Sequence, residues 1–368
     1  MASFSVGGRA AEEMCDALKK RKKFVEISSM SSIQSLIDEA YKLEPRLTGC
    51  VVSWKGQQSR NGLLGLNKNY SIELEYAENL PADINDVVLD DGKWTPSQAL
   101  ATAASMPDAI QVVTNDLDSL KDRIEDEVLL LKEKYPGLKG VTYKWLPGAG
   151  SGYATMWVDF TYFVERERYK MYTTLASREL ERIDRSHFGN GNIPKLIKVF
   201  LVFSYLQQTC TYDQESADLL DADQSEMMDR PFVSIPYGAL VKKMAVCEGI
   251  AGAFKMFMDY FGIPNRIVFG SFDGEKVNHC WNMVCLNEKY YHVDATYGIS
   301  GDGIYIGTFL KDDLSMSETH FWDMSKYPQC TSRRLDDDYV ENYISEHIDD
   351  LLDMGVDDRI LCPEEIRE

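Results

Sequence analysis

Between positions 247 and 261 the apolar residues Ile250, Ala251, Phe254, Phe257, Met258 and Phe261 recur at three- and four-residue steps. That is the stripe of a helix packed on a core. Gly262, followed by Ile263 and Pro264, supplies the stop. Downstream the period changes to that of strands over 277–286 and 289–295, joined at Asn287 and Glu288. Upstream, Ile197, Val199, Phe200, Val202, Phe203 and Leu206 make 195–208 too densely apolar for a one-faced surface helix, so it reads as buried.

Nearer the start, 10–24 reads as a helix ending in the basic run Lys19 to Lys23, which complements a helix C-terminus. From Ser31 one unit runs twice in the pattern. Ile33, Leu36, Ile37, Ala40 and Tyr41 form a helical stripe, followed by EPRLTGCVVSW and the alternating YSIELEY. Leu120, Ile124, Val128 and Leu131 form another, followed by YPGLKGVTYKW and ATMWVDFTY. Laid side by side, Pro45, Leu47, Gly49 and Trp54 match Pro136, Leu138, Gly140 and Trp145, and a tandem helix-strand-strand module is the simplest explanation. The link 77–115, with LDDGKWTPSQ and ASMPD, reads as part loop and part short helix. FVERERYKMYTTLASRELERID is a charged amphipathic pattern broken by SHFGNGNIP, which sets a boundary at Pro194. The acidic stretch within 213–234 reads as a connector or lid, and the tail from Arg334 as one or two acidic helices capping a domain.

Composition narrows the class. The 368 residues, 44% hydrophobic and 27% charged, are those of a soluble chain of two or three domains. A formal net charge of −20 argues against nucleic acid, whose phosphates it would repel. Eight cysteines without a CxxC pair suit free thiols in a reducing compartment. No apolar core of signal-peptide length and no membrane-length run occurs, so the expectation is a cytoplasmic protein without membrane contact.

The candidate chemistry lies in the helix and strands described first. Cys247 falls at the start of the helix, where orphan N–H groups and the helix dipole favour a thiolate, the nucleophilic form. With a two-residue turn at Asn287 and Glu288, Leu286 faces Lys289, Trp281 faces Asp294, and His279 faces Thr296. His279 and Asp294 then share one face as diagonal neighbours, so a carboxylate can orient an imidazole that serves the thiol. His292 and His320 are read as structural.

CEGIAGAFKMFMDYFGIP, then HCWN, then YYHVDATY resembles the transglutaminase-like superfamily, with its papain-like Cys-His-Asp core. YIGTFLKDDLSMSETHFWDMSKYP is similar to the continuation in bacterial transglutaminase-like proteins, and KLIKVFLVFSYLQQ with TCTYD to the entry of the same domain. The resemblance spans about 194–330. It implies Cys247 as nucleophile, His279 as general base and acid, and Asp294 as orienting carboxylate. Ile250 stands where an aromatic is common and Tyr297 where many members have tryptophan, which bears on the walls of the site.

The expectation is an α+β chain: a first module at 1–105, a second at 106–193, a catalytic domain at 194–330 and an acidic helical tail at 331–368. The activity expected is acyl transfer on amide or peptide bonds through a thioester, needing no cofactor or metal. Nothing resembles a calcium loop or a set of accessory sandwich domains, which favours hydrolysis over crosslinking. The first oxyanion donor is the Cys247 N–H; the second is one of Gln207, Gln208, Tyr212, Tyr237 or Trp281. The competing readings are a catalytically silent scaffold and a metal site on the same three residues.

Overall fold

The computed structural model describes residues 6–367 apart from 61–67, 79, 82, 91–105, 107, 148–149, 273–276, 300–302 and 362–365. Its contacts divide the chain into two compact units, Met1–Leu131 with Gly140–Thr161, and Lys132–Lys139 with Tyr162–Glu368.

In the first unit, α1 (Val6–Lys19) leads into β1 (Phe24–Ser29). The helix expected over 10–24 therefore stops at Lys19, and the basic run is its link to a strand that the sequence pattern did not reveal. Next come α2 (Ile33–Leu43), β2 (Val51–Arg60) and β3 (Lys68–Tyr76). The Ser32 side chain accepts from the Ser35 N–H at 3.1 Å and so fixes the start of α2. The stripe read from sequence, Ile33, Leu36, Ile37, Ala40 and Tyr41, is buried. The three strands form an antiparallel sheet in the order β1-β3-β2.

A second sheet follows, with β4 (Val88–Asp90), β5 (Ala109–Thr114), β6 (Leu138–Pro147) and β7 (Ala154–Tyr162) in the order β4-β5-β7-β6. Helix α3 (Leu117–Lys134) joins β5 to β6, and the stretch 132–139 belongs to the second unit. Both sheets thus contain a strand, helix, strand, strand succession whose last strand lies in the middle. In its described part the link 77–115 holds the expected loop and a short 3-10 helix, Ile84–Asp86, and also β4 and β5, which the pattern did not show. LDDGKWTPSQ falls largely outside the described residues.

The second unit is organised around α5. Helix α4 (Arg166–His187) ends before Gly189 and Gly191, both at positive φ, and α5 (Lys195–Thr209) then runs through the core. Ile197 and the run from Val199 to Phe203 are fully buried. The buried Ser204 hydroxyl donates to the Ile360 carbonyl at 2.8 Å, so this polar group inside an apolar helix has a partner. The chain continues through β8 (Thr211–Tyr212), α6 (Gln214–Asp221), β9 (Met244–Ala245) and α7 (Cys247–Tyr260). It then enters β10 (Asn265–Phe272), β11 (Val277–Leu286) and β12 (Lys289–Val293). After β13 (Ile304–Tyr305) and the single turn α8 (Asp313–Met316) comes β14 (His320–Phe321), which completes an antiparallel sheet in the order β12-β11-β10-β14. Helix α9 (Asp337–Asp353) turns Val340, Ile344 and Leu351 into the same core as α5, and β15 (Ile366–Arg367) pairs with β13.

The β11–β12 turn is the one the sequence implied. Asn287 and Glu288 both have positive φ, at 48° and 62°, and Leu286 pairs with Lys289. Among the described residues no helix is long and apolar enough to cross a membrane.

Candidate active site

Cys247 is the first residue of α7, held there by the backbone on both sides. The Val246 N–H donates to the Val233 carbonyl at 3.1 Å. Gly249, in the first turn, lies so close to that segment that a Cβ would run into the Val233 carbonyl oxygen, which is why the position accepts no side chain. From the other direction the Asn282 amide donates to the Ala251 carbonyl at 3.0 Å and ties β11 to α7. Cys247 is thereby delivered to β11 with its sulfur in reach of His279.

Pairing of β11 with β12 stops at Asn282 and Val293, and the chain then bends, placing Asp294 beyond the strand end. Its backbone is anchored twice: its N–H donates to the Thr308 carbonyl at 3.0 Å and its carbonyl accepts from the Thr308 hydroxyl at 2.8 Å. Its side chain, almost wholly buried, takes three donors. Oδ2 accepts from His279 Nε2 at 2.8 Å and from His320 Nε2 at 3.1 Å, while Oδ1 accepts from the Thr296 N–H at 2.8 Å. Since Nε2 of His279 is engaged by Asp294, Nδ1 is the nitrogen left to serve the sulfur.

The charges follow from these contacts. For Asp294, burial opposes ionisation, but the imidazolium of His279 and the hydrogen bonds from both histidines outweigh it and hold the carboxyl well below the usual carboxylate range. Burial likewise opposes the charge on His279; Asp294 and the Cys247 sulfur overcome it and push the imidazole up to about 10. Cys247 is held well below an ordinary thiol by the S–H of Cys280, then, against burial, by the hydrogen bond and charge of His279. The favoured state at neutral pH is a thiolate–imidazolium pair beside an ionised carboxylate.

Two further groups stand at the sulfur. Glu248 Oε2 lies 4.0 Å from Cys247 Sγ, and burial followed by the thiolate charge raises this carboxyl to about 8. Cys280 touches Cys247, and the thiolate's hydrogen bond, with burial, pushes its own thiol well up. The sulfur opens onto a cleft of about 520 Å³ lined by Lys132, Lys139, Tyr212, Asp221, Glu248 and His279, among others. Helix α6, in the acidic stretch read as connector or lid, forms part of the cleft wall.

Of the five candidates for the second oxyanion donor, Tyr212 alone lines this cleft. Burial and then the Cys247 thiolate raise its phenol, so it keeps its proton. The other four are placed elsewhere. The Trp281 indole N–H donates to His292 Nδ1 at 2.9 Å. Tyr237 is buried and stacked on Tyr172, with ring centroids 4.1 Å apart. Gln207 spends both ends of its amide on the Tyr305 backbone, at 2.8 and 3.1 Å. The Gln208 amide nitrogen is buried without a partner and away from the cleft lining.

His292 and His320 were read as structural, and they have different surroundings. His292 belongs to a separate chain: it accepts the Trp281 indole proton on Nδ1, and Nε2 donates to Asp313 at 3.0 Å. Burial lowers its basicity, consistent with a neutral ring using both nitrogens this way. His320 is fully buried and shares Asp294 with His279, with Nδ1 against the Thr319 hydroxyl at 2.8 Å. Among the described residues two groups have metal-like spacing, His279 with Asp294 and His320, and His292 with Asp313 and Cys330. In each the ring nitrogens facing the carboxylate carry the protons that bond it, so a cation would have to displace those hydrogen bonds.

Residues 189–295 match the family model of the transglutaminase-like superfamily, a span containing Cys247, His279 and Asp294. The span 189–295 is thus similar to a transglutaminase-like domain. A solved structure titled "Crystal structure of a TGase" is similar at 17% identity, covering 59% of this chain and 60% of that chain, with a TM-score of 0.31. No curated protein matches the chain. Sequence reasoning missed two groups in the matched span, Glu248 and Cys280, whose signal was their adjacency to Cys247 and His279, and it read His320, which no spacing rule connects to Asp294, as structural.

Proposed function

We propose that this chain is a cysteine-dependent acyl-transfer enzyme that acts on amide or peptide bonds through a thioester, with water favoured over an amine as acceptor. The observation that supports it is the chain of contacts from the Cys247 sulfur through His279 to Asp294, opening onto a cleft. The Cys247 thiolate attacks the carbonyl carbon, and the Tyr212 hydroxyl and the Cys247 N–H receive the charge on oxygen. As the tetrahedral species collapses, His279 gives its proton to the leaving amine. The neutral imidazole then takes a proton from water, whose oxygen attacks the thioester and returns the thiolate.

The substrate in this proposal is an amide group of a protein or peptide, and the setting is the cytoplasm, without nucleic acid or membrane. The four-segment organisation read from sequence belongs to the same proposal, with the two sheets of the first unit as the duplicated part.

Incubation with a labelled primary amine and a glutamine-containing protein tests the acceptor. Ammonia or a new chain end released without amine incorporation fits hydrolysis; amine incorporation without net hydrolysis overturns that preference. A Cys247 no more reactive at neutral pH than in the unfolded chain would replace the enzyme with a silent scaffold.

A further inference from the structure

Cys280 adjoins His279 on β11, and strand alternation turns the two side chains to opposite faces. Cys247 meets both because it lies against the edge of β11 just past the last β12 pair, at Asn282 and Val293. There the Cys247 and Cys280 side chains pack in one cluster with Ala251 and Ile267, both line the cleft, and His279 lines the same cleft. Acyl transfer uses one of these sulfurs and leaves the second without a task.

We propose that Cys247 and Cys280 form an oxidation site, in which a peroxide oxidises Cys247 and Cys280 captures the product as an intramolecular disulfide. In the first step the Cys247 thiolate attacks a peroxide oxygen. The S–O bond forms, the O–O bond breaks, and the departing oxygen takes a proton to leave as water or an alcohol. In the second, the Cys280 sulfur attacks Cys247 S–OH. The S–S bond forms, the S–O bond breaks, and hydroxide leaves as water with the Cys280 proton. Two electrons pass from the sulfurs to the peroxide. The first step prepares the second, since converting the thiolate to a neutral sulfenic acid removes the charge that keeps the Cys280 thiol protonated. The sulfurs must close from contact to about 2 Å.

The contrast with four of the other thiols favours the pair. Burial pushes Cys50 and Cys210 up to about 12, and it raises Cys15 and Cys330 as well, which leaves them poor nucleophiles toward peroxide. All the cysteines of the described residues are free. A dithiol reductant reverses the reaction by exchange.

The inference rests on the ionised Cys247 of the proposed function but not on acyl transfer, so its readout is chemical. The full chain is treated with hydrogen peroxide, remaining thiols are alkylated, and peptides are mapped by mass. The expected result is joint loss of alkylatable Cys247 and Cys280, a linked peptide pair joining them, and recovery of both thiols with dithiothreitol. In Cys280→Ser, dimedone should label a sulfenic acid on Cys247 that does not accumulate in the parent. Direct passage of Cys247 to sulfinic acid with Cys280 still free overturns the proposal, as does earlier linkage of any other pair. The map of the parent chain decides even if the variant does not fold. A chain that forms the disulfide yet releases no acyl product would keep this inference and lose the enzymatic one.

Discussion

Asp294→Asn separates charge from shape at the residue that joins the site together. The carboxylate accepts from His279, His320 and the Thr296 N–H, so every oxygen is committed. An asparagine whose oxygen keeps the two histidines must turn its NH2 toward the Thr296 N–H, donor against donor. The flipped amide faces two imidazole N–H groups instead. Either way the negative charge is lost. Raising His279 from 6.5 to about 10 corresponds, at ~1.4 kcal/mol per pH unit, to roughly 5 kcal/mol in favour of the imidazolium. Asp294 and the Cys247 thiolate share that preference. If the carboxylate supplies half, its removal costs the ion pair on the order of 2–3 kcal/mol, or about a hundredfold in thiolate population on the acid side. The assay is the rate of Cys247 alkylation against pH, with folding checked by a melt. The parent should alkylate at a rate that holds steady well below pH 9, while the variant should rise toward an ordinary thiol curve, near pKa 8.5. A folded variant whose curve superimposes on the parent's refutes the electrostatic reasoning.

Tyr212→Phe should lower kcat by about a hundredfold with a small effect on KM, because it removes a donor that matters once oxyanion charge develops; Cys247 alkylation should fall far less. His320→Ala should cost about 1–3 kcal/mol in a urea titration by depriving buried Asp294 of a donor, with His320→Gln recovering part of it. Gly249→Ala should destabilise by about 1–3 kcal/mol, since the added carbon pushes α7 off the Val233 backbone, and Cys247 alkylation should slow with it. The pH dependence has a definite sign. His279 is raised on folding, so its pairing contributes stability that is fully present below 6.5 and lost as pH rises through about 10. Melts across that window should show the loss, and kcat should fall on the same alkaline limb.

The contacts around Cys247 were legible where local rules govern them. The stripe behind Cys247 gave α7, and Asn287 with Glu288 gave the turn that fixes the β11–β12 register, although Asp294 itself lies past the last pair and is held by Thr308. Strand β5 was hidden because a short, almost continuously buried run carries no distinctive period, and β1 because its alternation lasts only six residues with the apolar Phe24 on its exposed face. The choice of oxyanion donor could not be read, since it depends on where distant side chains spend their protons: Trp281 on His292, Gln207 on Tyr305. His320 reaches Asp294 only because β14 joins the sheet beside β10, a pairing of two residues that leaves no pattern.

The central claim is that the Cys247 sulfur owes its nucleophilic role to His279 and Asp294. A peptide-like electrophile that mimics an amide, offered to the folded chain at neutral pH, tests it most directly when adducts are located by mass. One equivalent bound at Cys247, far faster than in the unfolded chain and abolished in His279→Ala, is the result expected. Adducts spread over several cysteines, or a Cys247 rate that survives loss of the imidazole, would contradict it.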